Sequence, residues 1–362
     1  MRAAVLYGFG EPLAIQDVHV DAQRAGEILV RMAASGVCRS DWHTVRGIHP
    51  HPLPVILGHE GSAVVEALGE GVEDLAPGDH VVLSWLPYCG ACRRCAAGRP
   101  NLCERLANFD RGLLADGTSR YRVGDVTVHH NVPSSFAEMA VVPANTAIRV
   151  DRSIPLDQVA LIGCAVTTGF GAVVNTARVR AGESVVVIGC GGVGLSVVQA
   201  ARIAGAFPIV AVDRVPSKLE LARALGADET VRTSDEGAEA AVRAVIDGAA
   251  FVFECLGHTE TVELATRLTE PGGTAVLIGM ARPDAGATFD ALTVTIEERT
   301  ITGSWYGSCV PPRDFPIIAG LVRDGRLRVD QMIGRTIALD EVNDALGWFE
   351  AGEDRRTVIA YG

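Results

Sequence analysis

The sequence has no run of basic residues, although it contains 32 Lys and Arg residues. These residues are scattered among 44 Asp and Glu residues, and the formal net charge is −12. Binding to nucleic acid or to an anionic membrane needs clustered positive charge that neutralises phosphate groups. The charge pattern therefore predicts that neither nucleic acid nor a membrane surface is a partner.

A long uncharged N-terminal segment is also lacking. The first residues, MRAAVLYGFGEPLAIQDV, soon reach Gly, Pro, Glu and Asp, so no signal peptide is predicted. Residues 184–201 are uncharged, but four glycines within six residues favour a buried strand, a tight turn and a helix over a membrane span. We expect a cytoplasmic protein, in which thiols stay reduced.

The apolar pattern changes along the chain of 362 residues, a length that predicts two domains. Up to about residue 150, short apolar runs broken by Gly, Pro and Asp indicate a β-rich domain. After about residue 165, β-branched runs alternate with Ala-rich amphipathic stretches, as in parallel βαβ units. The final RRTVIAYG is predicted to be a strand that returns to the first domain. We predict an α/β protein in which a doubly wound domain, residues 166–304, is inserted into a β-rich domain of residues 1–165 and 305–362.

A glycine-rich turn lies between a predicted strand and a predicted helix of the second domain. In VVVIGCGGVG, residues Gly189, Gly191 and Gly194 have the spacing of a dinucleotide-binding fingerprint. The next strand ends at Asp213, where a carboxylate can bind ribose hydroxyls. Asp213 favours NAD over NADP, although the adjacent Arg214 could partly offset the repulsion of a 2′-phosphate. The alternative is a glycine-rich turn in an ordinary α/β core.

Four of the nine cysteines are clustered, with the spacing C-x2-C-x2-C-x7-C, at Cys89, Cys92, Cys95 and Cys103. Four thiolates fit a tetrahedral zinc ion, and a closed shell of four ligands would make this zinc structural. The spacing also suits an iron–sulfur cluster, and disulfides are a third interpretation. A zinc ribbon for nucleic acid is disfavoured because the lobe, residues 85–106, has few basic residues.

Two further cysteines and a histidine lie far apart in the sequence, at Cys38, His59 and Cys164. Two thiolates and one imidazole are a ligand set of open catalytic zinc sites, whose fourth position holds water or substrate. Taken singly, each residue is more typical of packing than of metal binding. Distance along the sequence gives no reason to group them.

Resemblance to a known family gives a reason to group Cys38, His59 and Cys164. The segments CRSDWH, LGHEG, the cysteine lobe, ADGTSRY, LIGCAVTTGFGAVVNTARVRAGESVVVIGCGGVGLSVVQAARIAGA and RRTVIAYG resemble the zinc-dependent medium-chain alcohol dehydrogenases, in the same order over essentially the whole chain. The resemblance implies a GroES-like catalytic domain with an inserted Rossmann domain and a catalytic zinc in the cleft between them. It also implies a structural zinc, NAD, a small alcohol or aldehyde substrate, and a homodimer or homotetramer.

The resemblance assigns roles around the catalytic zinc. It implies that Cys38, His59 and Cys164 bind the metal, and that Glu60 is either an occasional ligand or a buried structural acid. Asp41 would orient His59. The relay would start at Ser40, which takes the substrate proton, and end at His43, which passes the proton to solvent.

The resemblance also assigns the nucleotide and substrate contacts. It places Arg39 and Arg356 at the pyrophosphate and Lys218 at the ribose. Further cofactor contacts are implied for Thr168, Gly192, Val193 and Ile278. The substrate pocket would include Ser40, Trp85 and Trp305.

The substrate prediction is primary or aromatic alcohols and their aldehydes. The bulk of Trp85 favours small or flat alcohols, whereas the small Ser40 opens space beside it. Relatives that oxidise the thiol adduct of formaldehyde carry CHTD where this chain has CRSD, and an arginine near Ala107, a position to which Arg111 is close. The chain could also be an alcohol oxidoreductase with tightly bound NAD, or an inactive NAD-binding protein without catalytic zinc.

Overall fold

The chain folds into two units. The computed structural model describes residues 1–233, 237–351 and 356–362. Unit 1 comprises Met1–Ala165 and Val310–Gly362, and unit 2 comprises Val166–Cys309. The α/β prediction with a doubly wound insertion is confirmed.

The strands, in chain order, are β1 (Arg2–Leu6), β2 (Ala14–Asp17), β3 (His19–Val20), β4 (Glu27–Val37), β5 (Val55–Ile56), β6 (Glu60–Leu68), β7 (His80–Leu83), β8 (Tyr121–Val123), β9 (Val126–His130), β10 (Met139–Pro143), β11 (Ala147–Arg149), β12 (Val185–Ile188), β13 (Ile209–Asp213), β14 (Glu229–Arg232), β15 (Ala249–Glu254), β16 (Thr269–Leu277), β17 (Thr300–Gly303), β18 (Ile333–Ile337) and β19 (Arg356–Ala360). The helices are α1 (Arg39–Val45), α2 (Arg93–Ala96), α3 (Ala107–Asp110), α4 (Leu156–Leu161), α5 (Thr167–Gly171), α6 (Gly192–Ala204), α7 (Pro216–Ala224), α8 (Ala238–Arg243), α9 (Thr259–Leu268), α10 (Ala291–Ile296), α11 (Pro311–Arg323) and α12 (Val342–Ala351).

The second boundary between the two units lies between residues 309 and 310, whereas the sequence predicted it between residues 304 and 305. Hydrogen bonds within unit 2 account for the difference. The Thr176 hydroxyl lies 2.9 Å from the hydroxyls of both Ser304 and Ser308, and the Asn175 amide donates to the carbonyl of Gly307 at 3.2 Å. These contacts keep the residues that follow β17 within unit 2.

Unit 1 contains two sheets, one of which includes the long strand β4. One sheet has the order β11-β7-β6-β4-β19-β18, with β10 also paired to β4, and the other has the order β2-β1-β5-β9-β8-β3. The C-terminal strand β19 pairs antiparallel with β4, as predicted from RRTVIAYG. Strand β4 is almost entirely buried, because strands cover both of its edges and apolar side chains cover its faces.

Unit 2 is a parallel sheet with the strand order β14-β13-β12-β15-β16-β17. Each neighbouring pair is parallel, and the central strand β12, VVVI, is fully buried. Counted from β12, this is the 3-2-1-4-5-6 order of dinucleotide-binding folds, in which ligands lie at the carboxyl ends of the strands.

A continuous helical segment, Leu156–Ala177, is long and apolar enough to cross a membrane by length and composition. However, 72% of its most apolar window is buried inside the protein. Burial of this kind is the property of a core helix, and residues 184–201, the stretch singled out in the sequence, instead form β12, a turn and part of α6.

Arg120, in the ADGTSRY segment, is completely buried in unit 1. Its guanidinium donates to Glu27 at 2.9 Å and to Asp116 at 2.7 Å, so the buried charge is paired. The neighbouring His130 is also buried, lies against the tilted ring of Tyr121 with the ring centroids 4.2 Å apart, and accepts the Arg120 backbone N–H at 3.1 Å. Burial and the Arg120 charge lower the pKa of His130 to about 3.

We expect His130 to make the protein sensitive to acid. The unfolded chain takes up a proton here near pH 6.5, whereas the folded chain does not until about pH 3, so this residue removes about 1.4 kcal/mol of stability per pH unit within that window. The urea midpoint of His130→Gln should therefore fall less between pH 7.5 and pH 5 than that of the wild type. His19→Gln, which changes an exposed histidine, is the control and should follow the wild type. Equal falls for all three proteins would contradict this assignment.

Candidate active site

Three segments of unit 1 bring together the candidate metal ligands Cys38, His59 and Cys164, which are far apart in the sequence. Cys38 follows β4 and precedes α1, His59 precedes β6, and Cys164 lies in a π-helical stretch, Ile162–Val166. The stretch can approach the sheet because Gly163 has no side chain; a methyl group there would lie 2.7 Å from the carbonyl oxygen of Leu83. Single π-helical turns within helices are frequent at functional sites.

The ligand atoms of Cys38, His59, Glu60 and Cys164 all lie within 4.8 Å of one another. His59 is oriented by Asp41, whose carboxylate accepts its Nδ1–H at 3.0 Å. The same carboxylate accepts the backbone N–H groups of Cys38 and Gly58, each at 3.1 Å. Nε2 of His59 is thereby left for a metal, as in carboxylate–histidine–zinc arrangements.

The electrostatics of this set match a bound cation. A hydrogen bond from Cys164 and the nearby charge of His59 lower the pKa of Cys38 well below its usual value, whereas that hydrogen bond and burial raise the pKa of Cys164. Burial lowers the pKa of His59, but the charges of Asp41 and Cys38 outweigh burial and raise it well above its usual value. The donors therefore compete for protons in a buried site. A zinc ion would replace those protons, and two thiolates with one imidazole suit it.

Glu60 and Arg356 form a buried ion pair beside these donors. Burial raises the pKa of Glu60 to about 7, and the charge of Arg356 opposes that rise. Gly36, the cross-strand neighbour of Glu60, makes room for the pair, because a methyl group there would overlap the Glu60 carboxylate. The structure therefore places Arg356 against Glu60, and its proposed pyrophosphate contact stays a prediction.

Helix α1 carries the predicted relay residues. Ser40 lies in its first turn and is half-buried, as is His43 in its last turn, while Arg39 is exposed. The ring of His43 lies 5.5 Å from that of His49, centroid to centroid. His49 had no predicted role, and its only signal in the sequence was a second histidine six residues after His43.

Two tryptophans were predicted to line the substrate pocket. Trp85 is half-buried in unit 1, and its ring meets that of His59 edge to face, with the centroids 6.5 Å apart. Trp305 lies in unit 2, after β17, and is 41% exposed.

The clustered cysteines form a second candidate metal site, in which the four Sγ atoms of Cys89, Cys92, Cys95 and Cys103 lie within 4.8 Å of one another. All nine cysteines are free thiols, so the disulfide alternative is not realised. The Cys89 N–H points to Cys103 Sγ at 3.4 Å and the Cys92 N–H to Cys89 Sγ at 3.3 Å. Backbone N–H groups lower the pKa of Cys92 to about 6. Four thiolates this close together would fill the shell of a tetrahedral zinc ion and leave no position for substrate, which fits a structural zinc.

The glycine-rich turn of unit 2 has the geometry that a dinucleotide needs. Gly189 has a φ of +94°, and a methyl group on Gly194 would lie 1.8 Å from the carbonyl oxygen of Gly189. Gly191 has no atom within 4 Å of the corresponding position, which leaves its backbone open to a ligand. Gly192 and Val193 begin helix α6, whose N-terminus favours a phosphate group.

Asp213 ends β13, as predicted, and its carboxylate accepts the Cys190 N–H of the turn at 2.7 Å and the Val215 N–H at 2.9 Å. Arg214 is exposed, and Lys218 lies half-buried on α7. Two further predicted cofactor contacts are also in unit 2. Thr168 is half-buried on α5, and Ile278 follows β16.

Two family models match the chain: an alcohol dehydrogenase GroES-like domain over residues 24–152 and a zinc-binding dehydrogenase domain over residues 192–323. An S-(hydroxymethyl)glutathione dehydrogenase from Paracoccus denitrificans is 36% identical and covers 99% of each chain. This chain belongs to the zinc-dependent medium-chain alcohol dehydrogenase family. Its members are oxidoreductases acting on CH–OH groups, with zinc and a nicotinamide dinucleotide as cofactors.

Solved structures of this alcohol dehydrogenase family share the fold. An alcohol dehydrogenase zinc-binding domain protein from Burkholderia ambifaria matches with a TM-score of 0.95 and 35% identity, covering 100% of this chain and 98% of its own. A benzyl alcohol dehydrogenase from Acinetobacter calcoaceticus matches with a TM-score of 0.94 and 32% identity, covering 100% and 99%.

We expect two zinc ions per chain of this alcohol dehydrogenase, and each single-cysteine variant should lose one of them. Cys38→Ser should empty the dispersed site and Cys103→Ser the clustered one, because each removes one thiolate of a set that needs all its ligands. Cys309→Ser is the control, since Cys309 is fully buried but belongs to neither set. Metal content by mass spectrometry checks this. Two zinc ions retained in either ligand variant, or iron in the clustered site, would refute the assignment.

Proposed function

We propose that the protein interconverts primary or aromatic alcohols and their aldehydes by transferring hydride between the substrate carbon and NAD. Unit 1 would be the catalytic domain and unit 2 the NAD-binding domain. The observation that carries the proposal is the set of donor atoms from Cys38, His59, Glu60 and Cys164, all within 4.8 Å of one another. An NAD-binding protein without catalytic zinc would have no need to keep this set.

Each side chain of unit 1 has a distinct task. Cys38, His59 and Cys164 would hold a zinc ion, which supplies a Lewis acid that makes the alcohol more acidic. Asp41 keeps Nε2 of His59 directed at the metal position by accepting the Nδ1–H at 3.0 Å. The Ser40 hydroxyl accepts the alcohol proton, and His43, at the other end of α1, passes the proton towards solvent.

NAD is the proposed coenzyme, in preference to NADP. The carboxylate of Asp213 lies at the end of β13, where it can accept the ribose hydroxyls and would repel a 2′-phosphate. Lys218 is proposed as a ribose contact. Arg214, next to Asp213 in the sequence, could partly offset the repulsion of a 2′-phosphate. Residues Arg39, Arg356, Thr168, Val193 and Ile278 are proposed as further coenzyme contacts.

The aromatic part of the proposal depends on Trp85. Its ring stands edge to face against the ring of the metal ligand His59, so a flat substrate bound at the metal position would contact indole carbon atoms. The benzyl alcohol dehydrogenase from Acinetobacter calcoaceticus, at 32% identity, agrees with such a substrate class.

A second candidate is oxidation of the thiol adduct of formaldehyde. The similarity to the S-(hydroxymethyl)glutathione dehydrogenase from Paracoccus denitrificans favours it. Arg111 is exposed just after α3 and could pair with a carboxylate of such a thiol, whereas Ala107, nearer the expected position, could not. Binding of the carboxylate would thus rest on Arg111 alone.

Substrate profiling separates these candidates. We expect the NAD-dependent rate with benzyl and cinnamyl alcohol to exceed that with ethanol and hexanol, and formaldehyde to be oxidised no faster when glutathione is added. Trp85→Ala should lower the preference for benzyl alcohol over hexanol about fivefold, because an aromatic contact contributes about 1 kcal/mol. Cys38→Ser is the control and should bind NADH without turnover. A rate seen only with formaldehyde plus glutathione would overturn the substrate assignment.

The same preparation shows whether the coenzyme exchanges. If NAD stays bound to the wild-type protein through gel filtration and does not exchange, the protein is an alcohol oxidoreductase with permanently bound coenzyme. We propose exchangeable NAD and a cytoplasmic location, where the thiolates of the lobe stay reduced.

We propose that the chain forms a homodimer, or a homotetramer made of two such dimers, through the edge of the unit 2 sheet. Strand β17 is the last strand of that sheet, so one of its edges has no strand neighbour among the residues that the structure describes. Close to it in sequence is α10, none of whose residues is buried; Leu292 is 67% and Ile296 68% exposed. Exposed apolar side chains beside an open strand edge are typical of a subunit interface.

Replacing an apolar residue of α10 with a charged one should weaken the dimer. We expect Ile296→Glu to shift the mass measured by light scattering towards the monomer, because the carboxylate would be desolvated in the interface. Ile317→Glu, on α11 of unit 1 and 51% exposed, is the matched control and should leave the mass unchanged. A monomeric wild type, or an unchanged mass for Ile296→Glu, would contradict the proposal.

A further inference from the structure

A buried carboxylate ends the strand next to the nucleotide turn. Glu254 is the last residue of β15, which pairs with β12, and its side chain has no exposed surface. The carboxylate accepts the Leu256 and Gly257 N–H groups, each at 2.9 Å, and the Thr261 hydroxyl at 2.7 Å. Three donors stabilise an ionised carboxylate, whereas a protonated carboxyl would need an acceptor. Within residues 1–233, 237–351 and 356–362, no arginine or lysine pairs with it.

The backbone of Glu254 connects the ends of neighbouring strands. Its carbonyl accepts the N–H groups of Ile278 at 2.9 Å and of Gly279 at 3.1 Å, just after β16. The loops after β15 and β16 touch closely, because a methyl group on Gly279 would lie 2.0 Å from the nitrogen of Gly257. On the other side, the Cys255 N–H donates to the Ile188 carbonyl at the end of β12. Glu254 therefore determines the shape of the strand ends along which a dinucleotide lies in this fold.

Hydrogen bonding within the loop does not by itself account for a negative charge at Glu254. A buried charge without a cationic partner is costly, and a neutral side chain could accept the same backbone N–H groups more cheaply. The nicotinamide ring is positively charged in NAD⁺ and neutral in NADH, so a fixed negative charge near the ring stabilises the oxidised form selectively. Ile278, one of the proposed coenzyme contacts, donates its backbone N–H to the Glu254 carbonyl at 2.9 Å.

We propose that Glu254 is a positioning residue of the nucleotide site and that its buried charge makes the site favour NAD⁺ relative to NADH. This inference rests on the proposed NAD-dependent function. It predicts a change in the ratio of two affinities, which a residue that only holds a loop would not produce.

The test is to measure the Kd values of NAD⁺ and NADH for the wild type and two variants by fluorescence titration. Glu254→Gln removes the charge and keeps the size, and it should raise the ratio Kd(NAD⁺)/Kd(NADH) about four- to sixteenfold, the range that Coulomb's law gives for a unit charge about 10 Å away at an effective dielectric constant of about 40 to 20. Thr261→Val is the matched control, because it removes one hydrogen bond to Glu254 and keeps the charge. Its ratio should equal that of the wild type.

A further variant covers the case in which Glu254→Gln does not fold, as judged by circular dichroism and thermal unfolding. Glu254→Asp keeps the charge but shortens the side chain, so both affinities should fall while their ratio stays within about twofold of the wild type. The charge role would be overturned if the ratio Kd(NAD⁺)/Kd(NADH) of Glu254→Gln equalled that of the wild type. It would also be overturned if Glu254→Asp, which keeps the charge, shifted the ratio as much as is predicted for Glu254→Gln. A wild type that binds neither nucleotide would instead refute the proposed function.

Discussion

The structure of unit 1 depends on one electrostatic constraint, the crowding of thiols, an imidazole and a carboxyl group in a buried space. The donor atoms of Cys38, His59, Glu60 and Cys164 lie within 4.8 Å of one another. The hydrogen bond between the two thiols lowers the pKa of Cys38 and raises that of Cys164, and burial adds to the rise at Cys164. A dication removes the conflict, since it neutralises the thiolates and leaves His59 neutral. The surrounding fold serves this arrangement: Gly36 and Gly163 allow the close approach, and Asp41 fixes the imidazole.

The two candidate metal sites differ in how the chain assembles them. This difference fits a closed structural site for the clustered cysteines and an open catalytic site for the dispersed residues. The clustered cysteines lie within one lobe, where a short chain segment supplies four thiols that would fill all four positions of a tetrahedral metal ion. The dispersed set comes from a strand end, a loop and a π-helical stretch. Ligands on separate elements are held rigidly by the sheet and helix behind them, so they can leave one position of the metal open without collapsing onto it.

In unit 2, acidic residues end the two strands that lie on either side of β12. Asp213 ends β13 and Glu254 ends β15, and each carboxylate accepts backbone N–H groups from an adjacent turn. Asp213 remains partly exposed and can meet the ribose, whereas Glu254 is enclosed and can act only through its charge and the loops that it holds. Under the proposed function, the carboxyl ends of these strands would offer a direct contact to one end of the dinucleotide and a fixed negative charge to the other.

The amino-acid sequence by itself determined the parts that depend on local pattern. The fold class, the glycine-rich turn and the terminal acid Asp213 follow from periodicity and spacing over a few dozen residues, because strands, turns and helix starts are set by nearby side chains. The clustered cysteines were recognisable for the same reason. The acid at the end of FVFE carried the same signal as Asp213, but a sequence gives no measure of burial, so the role of Glu254 could not be predicted from it.

Only the tertiary structure decided which distant residues meet. Cys38, His59 and Cys164 had no relation along the chain except through resemblance to a family, and the pairing of Arg356 with Glu60 had no sequence signal at all. The boundary after Cys309 likewise depended on hydrogen bonds from Thr176 to residues more than a hundred positions away. Such contacts depend on the packing of whole sheets, in which the position of each side chain is fixed by all its neighbours at once.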